Sequence, residues 1–319
     1  MKVLITGARG FVGSYLTDFL LSKKGIEVHG LGRNGSKESV FNSASRKTVF
    51  HSCDIRDLKA VTGVLKKAKP DRVFHLAAQS FVPSSWASPK ETLSVNVIGQ
   101  LNLFEALNLT GGAPKVHIAG SSEAYGRVLP KEIPVREANT LRPLNPYGVS
   151  KAAQDLLAYQ HGRNSKLQVV RTRAFNHTGP GQPDRFVASD FARQVALIEA
   201  GKRAPVIHVG NLESIRDFTD VRDIVKAYWL ALEKGKAGEV YNVCSGKGHK
   251  IREIVEIYLK HSKIRIKIKQ DKTRMRPSDV PVLVGSAEKF KKQTGWKPEI
   301  PFKTTLLDIL NYWRQNIEL

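Results

Sequence analysis

The sequence predicts an α/β fold in which a doubly wound parallel sheet is joined by a smaller, interleaved C-terminal lobe. Three observations support this prediction. Short apolar runs alternate with amphipathic stretches through the first two thirds of the chain, a glycine-rich turn follows the first run, and the later part has a different pattern. With 319 residues, the chain is long enough for two domains of ordinary size.

The predicted strands are continuous apolar runs, as expected for parallel strands that are buried on both faces. Amphipathic helices separate them, and this alternation favours right-handed crossovers within one sheet. A further helix at 221–233 and a strand at 239–244 repeat the pattern, so both are predicted to return to the same sheet. The other predicted strands are 2–6, 27–31, 48–54, 72–76, 115–119 and 167–173, and the other helices are 10–22, 58–67, 89–109 and 146–162.

The chain is predicted to enter the smaller lobe twice. Residues 1–175 and 218–245 are assigned to the domain of the main sheet, and residues 176–217 and 246–319 to the lobe. At 264–269 isoleucines alternate with cations, which predicts a half-exposed strand with the isoleucines on one face and the cations on the other. Its lysines would also protect a sheet edge from pairing with another chain.

Composition narrows the classes of function. The chain has 51 Lys and Arg against 29 Asp and Glu, a net charge of +22, which indicates either an anionic partner or a solvated basic surface. No apolar run approaches the ~20 residues of a membrane span, so we expect no membrane partner. The only two cysteines, Cys53 and Cys244, exclude a disulfide scaffold and favour a cytoplasmic protein with reduced thiols. The nine histidines lack metal-ligand spacing, so no metal is predicted.

The glycine-rich turn at 6–13, TGARGFVG, lies between the first predicted strand and the first helix. In this motif the backbone has to turn tightly at Gly7, let a diphosphate approach at Gly10, and let the helix pack against the strand at Gly13. The helix N-terminus offers free amides and a positive dipole end to the diphosphate. This context predicts a Rossmann-type dinucleotide site. Its predicted cofactor-binding residues are Gly7, Gly10, Phe11, Val12 and Gly13.

The end of the second strand indicates which dinucleotide binds. An acidic residue there favours NAD, whereas an arginine accepts the 2′-phosphate of NADP. The segment 30–37 has no carboxylate and carries Arg33, so we favour NADP(H), with NAD(H) as the alternative. Arg33 could also be a solvated loop cation. Asp54 and Ile55 suit the adenine edge, although Asp54 could equally be the N-cap of the next helix.

Tyr147 and Lys151 are four residues apart at the start of a predicted helix, so their side chains share one face. The ammonium group is expected to lower the phenol pKa from ~10 toward the working pH. Chance alone predicts roughly one such pair in this composition, so their position at the carboxyl ends of the strands supports the inference. Ser121 could bond the carbonyl oxygen that Tyr147 protonates, or could belong to an ordinary serine-rich turn.

Taken together, the glycine turn, Asp54-Ile55, the segment HLAAQS at 75–80, Asn96, Ser121 and the Tyr147–Lys151 pair resemble the extended short-chain dehydrogenase/reductase family of the NAD-dependent epimerase/dehydratase type. The resemblance covers essentially the whole chain. It implies a homodimer joined through a four-helix bundle of the helices at 89–109 and 146–162, where the alternative is a monomer with amphipathic surface helices. It also implies cofactor contacts at Leu76, Ala77, Ala78, Asn96, Tyr147 and Lys151.

Within this family the segments 120–126, 173–182, 210–213, 216–223 and 276–281 are similar to those of enzymes acting on GDP-sugars. The resemblance implies that Arg216 and Arg276 bind the substrate diphosphate. These arginines could instead form ion pairs with Asp217, Asp220 or Asp279. Two guanidinium groups suit bidentate phosphate binding. The implied substrate-binding residues are Ser80, Ser121, Ser122, Glu123, Asn176, Val187, Arg216, Arg276 and Asp279.

The implied reaction is NAD(P)H-dependent reduction of the C4 ketone of GDP-4-keto-6-deoxy-D-mannose to GDP-D-rhamnose. Ser121, Tyr147, Lys151 and Glu123 are the implied catalytic residues, with Tyr147 as proton donor. The nearest alternative is 4,6-dehydration of GDP-mannose, for which Glu123 would abstract the C5 proton. The segment 178–182 lacks the arginine-rich stretch that such dehydratases carry, which favours the reductase.

Two other functions stay open as alternatives. One is a different nucleotide-sugar 4-epimerase or reductase. The other is a non-catalytic module that binds a dinucleotide or nucleic acid, which the positive charge suggests. The sequence carries no RRM, KH or helix-turn-helix signature, and its basic residues are not interleaved with aromatic residues. We therefore expect a nucleotide-sugar partner and no nucleic acid.

Overall fold

The computed structural model describes residues 1–33, 47–275 and 280–317. The strands are β1 (Lys2–Thr6), β2 (Glu27–Gly32), β3 (Val49–Ser52), β4 (Arg72–His75), β5 (Lys115–Ser121), β6 (Gln168–Ala174), β7 (Asn176–Thr178), β8 (Val206–Val209), β9 (Ile215–Asp220), β10 (Val240–Val243), β11 (Gly248–Lys250), β12 (Lys267–Gln270) and β13 (Val282–Leu283). The α-helices are α1 (Phe11–Leu21), α2 (Leu58–Ala68), α3 (Val82–Ala87), α4 (Pro89–Leu93), α5 (Gly99–Leu109), α6 (Pro146–Asn164), α7 (Val187–Glu199), α8 (Val221–Lys234), α9 (Ile251–Lys260), α10 (Glu288–Thr294) and α11 (Phe302–Gln315).

The main sheet has seven strands in the order β10-β6-β5-β4-β1-β2-β3. Every neighbouring pair is parallel, and β10 joins the same sheet, as predicted, where it pairs with β6. The order reverses at β1, which has β4 on one side and β2 on the other. This topology confirms the predicted doubly wound, Rossmann-type fold. A ligand crevice is expected where the order reverses, at the carboxyl ends of these strands.

Helices cover both faces of this sheet. Val3 and Ile5 of β1 belong to a buried cluster that includes residues of α1 and α8. Leu4 between them belongs to a second cluster that includes residues of α2, α5 and α6. Because successive side chains of a strand point to opposite faces, the two clusters are the two layers of the domain core.

The predicted elements of this domain agree with the observed ones at most positions. β1 has the predicted bounds, whereas the strand predicted at 48–54 is confined to Val49–Ser52. The chain is helical over the whole of the predicted range 89–109, but a π-helical turn at Ser94–Ile98 separates α4 from α5. Such turns interrupt helices mostly at functional sites. This one carries Asn96, whose side-chain contacts are described below.

The rest of the chain adds two smaller sheets. β11, β9 and β13 form one of them, with β7 also pairing with β9, and β12 pairs with β8. Buried residues of α7, α9 and α11 form a separate hydrophobic cluster beside these strands. The division of the chain after residues 175, 217 and 245 stays a prediction.

The strand predicted at 264–269 differs from the observed one. β12 begins only at Lys267 and pairs in parallel with β8. Ile266 is buried, but Ile264 is 43% exposed and Ile268 is 42% exposed. The isoleucines therefore do not form a buried face. Of the three isoleucines, only Ile266 reaches the cluster of α7, α9 and α11, to which Ile207 and Val209 of β8 also belong.

Cys53 and Cys244 are buried free thiols. Burial raises the pKa of Cys53 to about 11, so its thiolate is scarce at neutral pH. No helix within residues 1–33, 47–275 and 280–317 has the length and hydropathy needed to cross a bilayer. The same residues contain no group of three or more His, Cys, Asp or Glu side chains arranged to hold a metal ion.

Candidate active site

A cavity of about 420 Å³ lies at the carboxyl edge of the main sheet. It spans the position where the strand order reverses, so the structure brings together residues that are far apart in the sequence. The predicted site residues that line it are Gly7, Gly10, Phe11, Val12, Gly13, Arg33, Asp54, Ile55, Leu76, Ala77, Ala78, Ser80, Ser121, Ser122, Glu123, Tyr147, Lys151 and Asn176.

The glycine turn forms the middle of this cavity. Gly7 has a φ of +74°, and a Cβ atom there would lie 2.9 Å from the backbone nitrogen of Ala77. A Cβ on Gly13 would lie 2.1 Å from the carbonyl oxygen of Gly7, so α1 packs against the turn only with glycine there. Gly10 is the N-cap of α1 and provides no capping side chain. The first-turn amides of α1 are therefore available to an anion, and the turn fits a dinucleotide diphosphate.

One end of the cavity, which we call the loop end, is lined by Arg9 and Arg33. Arg33 is exposed. The Arg9 guanidinium lies 3.5 Å from the centroid of the Phe50 ring. The sequence interpretation passed over Arg9, although a cation inside the glycine turn was a visible signal.

Asp54 also lines the loop end, where Arg56 holds its carboxylate. The guanidinium of Arg56 donates to both oxygens, at 3.0 Å from Nε and 2.6 Å from Nη2. These hydrogen bonds keep the pKa of Asp54 below its usual value. The alternative that Asp54 caps the next helix is wrong, because the N-cap of α2 is Asp57, whose side chain accepts from the Ala60 amide.

The opposite end, which we call the catalytic end, is lined by Ser121, Tyr147 and Lys151. Asn145 is the N-cap of α6 and accepts from the Gly148 amide at 2.7 Å, which fixes the first turn where Tyr147 lies. Lys151 follows one turn later, and its Nζ donates to the carbonyl oxygen of Ala119 at 2.9 Å. Both side chains are buried.

Burial sets the protonation of this pair. It raises the pKa of Tyr147 above its usual range, an effect that Glu123 reinforces and the Ser121 hydroxyl opposes. It lowers the pKa of Lys151 to about 8. Desolvation thus outweighs the expected lowering of the Tyr147 pKa by Lys151, whose Nζ lies 5.9 Å from the Tyr147 ring centroid. Tyr147 is a neutral phenol that can donate a proton.

Glu123 follows Ser121 and Ser122 on a short 3₁₀ turn. Its carboxylate accepts from the Asn145 side-chain amide at 2.9 Å. This hydrogen bond links the turn after β5 to the N-terminus of α6. Its backbone amide donates to the Ser121 hydroxyl oxygen at 3.2 Å. The structure therefore holds Glu123 close to Ser121 and Tyr147, as the sequence interpretation expected of a site residue.

Asn96 is not part of the cavity lining. It is fully buried, and its Oδ1 accepts from the Gln79 amide at 2.8 Å. Its Nδ2 donates to the Gln79 carbonyl at 3.1 Å and to the Ser150 hydroxyl at 2.8 Å. Asn96 therefore ties the loop after β4 to α6, which supports the site without facing it, because the π-helical turn directs its side chain inward.

A second cavity of about 480 Å³ adjoins the first. Phe81, Asn176 and Arg185 line both of them, so the two are contiguous. The second cavity contains two further predicted substrate residues, Val187 and Arg216. No motif indicated Arg185 as a site residue.

Asp217 and Asp220 were the alternative ion-pair partners of the two predicted substrate-binding arginines, and both are engaged by other groups. The Asp217 carboxylate accepts from the Ser245 hydroxyl at 2.6 Å, and that of Asp220 accepts from Arg222 Nε at 2.8 Å. These carboxylates are thus held by groups other than Arg216. Arg276 and Asp279 lie outside the described residues.

Comparison with known proteins agrees with this site. The family model of GDP-mannose 4,6 dehydratase matches residues 4–309. The GDP-6-deoxy-D-mannose reductase of Pseudomonas aeruginosa is 36% identical, over 99% of this chain and 98% of that protein. GDP-mannose 4,6 dehydratase 1 of Arabidopsis thaliana is 33% identical, over 94% of this chain and 86% of that protein.

The likeness extends to three dimensions. The structure of RMD from Pseudomonas aeruginosa complexed with NADPH superposes with a TM-score of 0.87 at 35% identity, and 99% of each chain is covered. The similarity in sequence and in fold to these proteins, together with the cavity at the carboxyl edge of the sheet, indicates one family. The chain belongs to the GDP-mannose 4,6-dehydratase family of extended short-chain dehydrogenases/reductases and is an NAD(P)-dependent oxidoreductase.

Proposed function

We propose that this enzyme reduces the C4 ketone of GDP-4-keto-6-deoxy-D-mannose to GDP-D-rhamnose, with NADPH as the favoured reductant. The observation that carries the proposal is the buried Tyr147 phenol beside Ser121 and Lys151, in one cavity with the uncapped N-terminus of α1. The 36% identity to a GDP-6-deoxy-D-mannose reductase supports the same reaction.

The dinucleotide, when bound, supplies a hydride to the ketone carbon. Tyr147 donates its phenolic proton to O4, where the electron pair of the C=O π bond takes it up. The Ser121 hydroxyl donates a hydrogen bond to the same oxygen and stabilises the charge that develops there. The Lys151 ammonium stabilises the resulting Tyr147 phenolate and binds a ribose hydroxyl.

The substrate would lie across both cavities, with the sugar toward Tyr147 and the nucleotide in the second cavity. Arg185 and Arg216 suit the diphosphate, because guanidinium groups bind phosphate oxygens in a bidentate manner. Asn176 lies where the two cavities meet and suits the sugar or the diphosphate. We propose the same substrate role for Arg276 and Asp279 on the resemblance alone.

At the loop end, Arg9 and Arg33 favour NADPH over NADH, because cations beside the adenosine ribose attract a 2′-phosphate. NADH stays the alternative reductant. The same carboxyl edge of the sheet carries Asp54, which Arg56 occupies on both oxygens. Asp54 follows β3 and suits the adenine edge, so it does not supply the ribose-binding carboxylate that NADH would require after β2.

A second candidate is 4,6-dehydration of GDP-mannose, favoured by the position of Glu123 in the cavity beside Tyr147. The turn after His177 favours the reductase instead. There Thr178 donates to the Gln182 side chain at 2.7 Å, and Gln182 Nε2 donates to the His177 carbonyl at 3.0 Å. This closed turn takes the place of the arginine-rich stretch of dehydratases.

One coupled assay separates the two candidates. The purified enzyme is incubated with GDP-mannose and NADPH, or NADH, with and without a separately characterised GDP-mannose dehydratase. We expect oxidation of the cofactor only in the coupled reaction, with GDP-D-rhamnose as product, and a rate about 10²- to 10⁴-fold lower with Tyr147→Phe. Water loss from GDP-mannose caused by this enzyme alone would make it a dehydratase.

We also propose a homodimer joined through α4, α5 and α6. Exposed apolar side chains on these helices and the turn between α4 and α5 support it, namely Leu93, Ile98, Leu109, Val149, Leu156 and Tyr159. Sedimentation at micromolar concentration should give twice the 35.4 kDa chain mass. Leu156→Glu should give a monomer, whereas Ile268→Glu, at another exposed apolar position, should not. A wild-type monomer would exclude the dimer.

A further inference from the structure

Tyr228 of α8 is a buried tyrosine whose hydroxyl has no hydrogen-bond partner in the part of the chain that the structure describes. Its residue is 2% exposed, and its ring lies against His117 with 4.4 Å between centroids. Within residues 1–33, 47–275 and 280–317, no group forms a hydrogen bond with this hydroxyl. Tyr125, in contrast, donates to Asn242 at 2.7 Å, and Tyr258 donates to the Ala188 carbonyl at 3.0 Å. The Tyr228 hydroxyl is not among the fully buried polar atoms that lack a partner, so it is open to the cavity and free to bond a ligand there.

The side chain of Tyr228 lines the main cavity together with Ala119 and Ala174. Because both alanines are small, they leave the phenol accessible from the cavity. Tyr147 lies close enough that its phenolate would raise the pKa of Tyr228 further, beyond the effect of burial. Tyr228 therefore belongs to the catalytic end, where Lys151 donates to the Ala119 carbonyl at 2.9 Å.

When a dinucleotide is bound, most of its polar groups at this end would already have protein partners, so only a few could bond the phenol. The diphosphate has the N-terminus of α1, and the nicotinamide ribose has Tyr147 and Lys151. The nicotinamide carboxamide has no other assigned partner among the described residues. A phenol can donate to its carbonyl oxygen or accept from its NH₂ group.

We propose that the Tyr228 hydroxyl hydrogen-bonds the carboxamide of the nicotinamide ring and so fixes the ring's orientation beside Tyr147. This inference rests on the NADP(H) site of the proposed function. It assigns to α8 a contact that the glycine turn and the Tyr147–Lys151 pair do not provide.

The test compares Tyr228→Phe with the wild-type enzyme for two ligands. NADPH is titrated by its fluorescence, and 2′,5′-ADP, which lacks the nicotinamide half, is titrated by competition. Loss of one hydrogen bond should weaken NADPH binding about five- to tenfold and leave 2′,5′-ADP binding unchanged. Tyr241→Phe is the matched control, because it removes a phenol from the same hydrophobic cluster, where the hydroxyl accepts from the Lys236 amide at 3.1 Å.

The outcomes are distinguishable. Equal NADPH affinity of Tyr228→Phe and wild type overturns the inference and leaves the proposed function standing. An equal loss for NADPH and 2′,5′-ADP means a distorted cavity and also overturns it. A wild-type enzyme that binds neither ligand refutes the cofactor site itself, and with it both proposals.

Discussion

The two ends of the main cavity use positive charge in opposite ways. At the catalytic end Lys151 is buried, and desolvation lowers its pKa to about 8. At the loop end Arg33 is exposed and Arg9 is half-buried against Phe50. Water and salt weaken an exposed charge but leave a buried one largely unscreened. Burial thus sets the chemistry at one end, whereas the other end selects between ligands by exposed charge.

This difference ranks the expected effects of substitution. A change at the catalytic end removes a group from a low-dielectric site that bulk water cannot replace. A change at the loop end removes one of several charges, and solvent ions compensate for part of the loss. We therefore expect large effects on turnover from the first and modest effects on cofactor preference from the second.

The largest expected effect is that of Tyr147→Phe. Removal of the proton donor should lower kcat about 10²- to 10⁴-fold, while NADPH affinity changes little. Steady-state rates in the coupled assay and a fluorescence titration measure the two quantities. Tyr159→Phe, which alters an exposed tyrosine of the same helix, should leave both unchanged. A loss below about tenfold would mean that another group donates the proton.

The protonation of Lys151 should appear in the pH profile. Its ammonium is retained below a pKa of about 8 and lost as the pH rises through that value. We expect kcat/KM to fall on the alkaline side near this pH. In Lys151→Arg, whose charge persists, that fall should move to higher pH. A wild-type profile that is flat from pH 7 to about 9 contradicts a role for the charged form.

The same shift affects stability in a definite direction. The folded enzyme releases the Lys151 proton at about 8, whereas the unfolded chain keeps it up to 10.5. Between these values the unfolded state binds more protons, so this group's contribution to the free energy of unfolding rises with pH. Denaturation of the wild type and Lys151→Met at both ends of the window should show a difference that grows in favour of the wild type.

The main sheet was predictable from sequence because its information is local. A continuous apolar run followed by a glycine turn predicts β1 and α1, and the seven parallel strands follow from repeated alternation. The 264–269 segment shows where this reasoning fails. Alternation tells which residues share a face, but only the packing of α7, α9 and α11 decides that Ile266 alone is buried.

Site residues could be predicted from sequence where a motif fixes their spacing. Residues that reach the site only through tertiary packing could not. The motif brought Tyr147 and Lys151 to one cavity, but their protonation depends on burial, which reverses the expected effect on the Tyr147 pKa. Tyr228 and Arg185 have no local signal, because distant segments bring them to the cavity. Asn96 carried a motif signal, yet its role depends on contacts with Gln79 and Ser150.

Asn96→Ala should have an intermediate effect on the enzyme. Asn96 connects the loop after β4 to α6, the helix that carries Tyr147 and Lys151. The substitution leaves the half-buried Gln79 backbone groups without their partner, which should lower the free energy of unfolding by about 1–3 kcal/mol. Chemical denaturation measures this loss, and Asn311→Ala, at an exposed asparagine, is the control. An unchanged midpoint would mean that the loop after β4 is held by other contacts.

The smallest effect is expected at the loop end. Arg33→Ala and Arg9→Ala should each raise the KM for NADPH about five- to tenfold and leave the KM for NADH nearly unchanged, because only NADPH carries the 2′-phosphate. Since these charges are screened, added salt should reduce the wild-type preference for NADPH and bring it toward that of the variants. Salt should not reproduce the effect of Tyr147→Phe, whose site is buried. If salt instead lowered kcat with saturating NADPH, the catalytic end would be more open to solvent than its burial indicates, and the contrast between the two ends would fail.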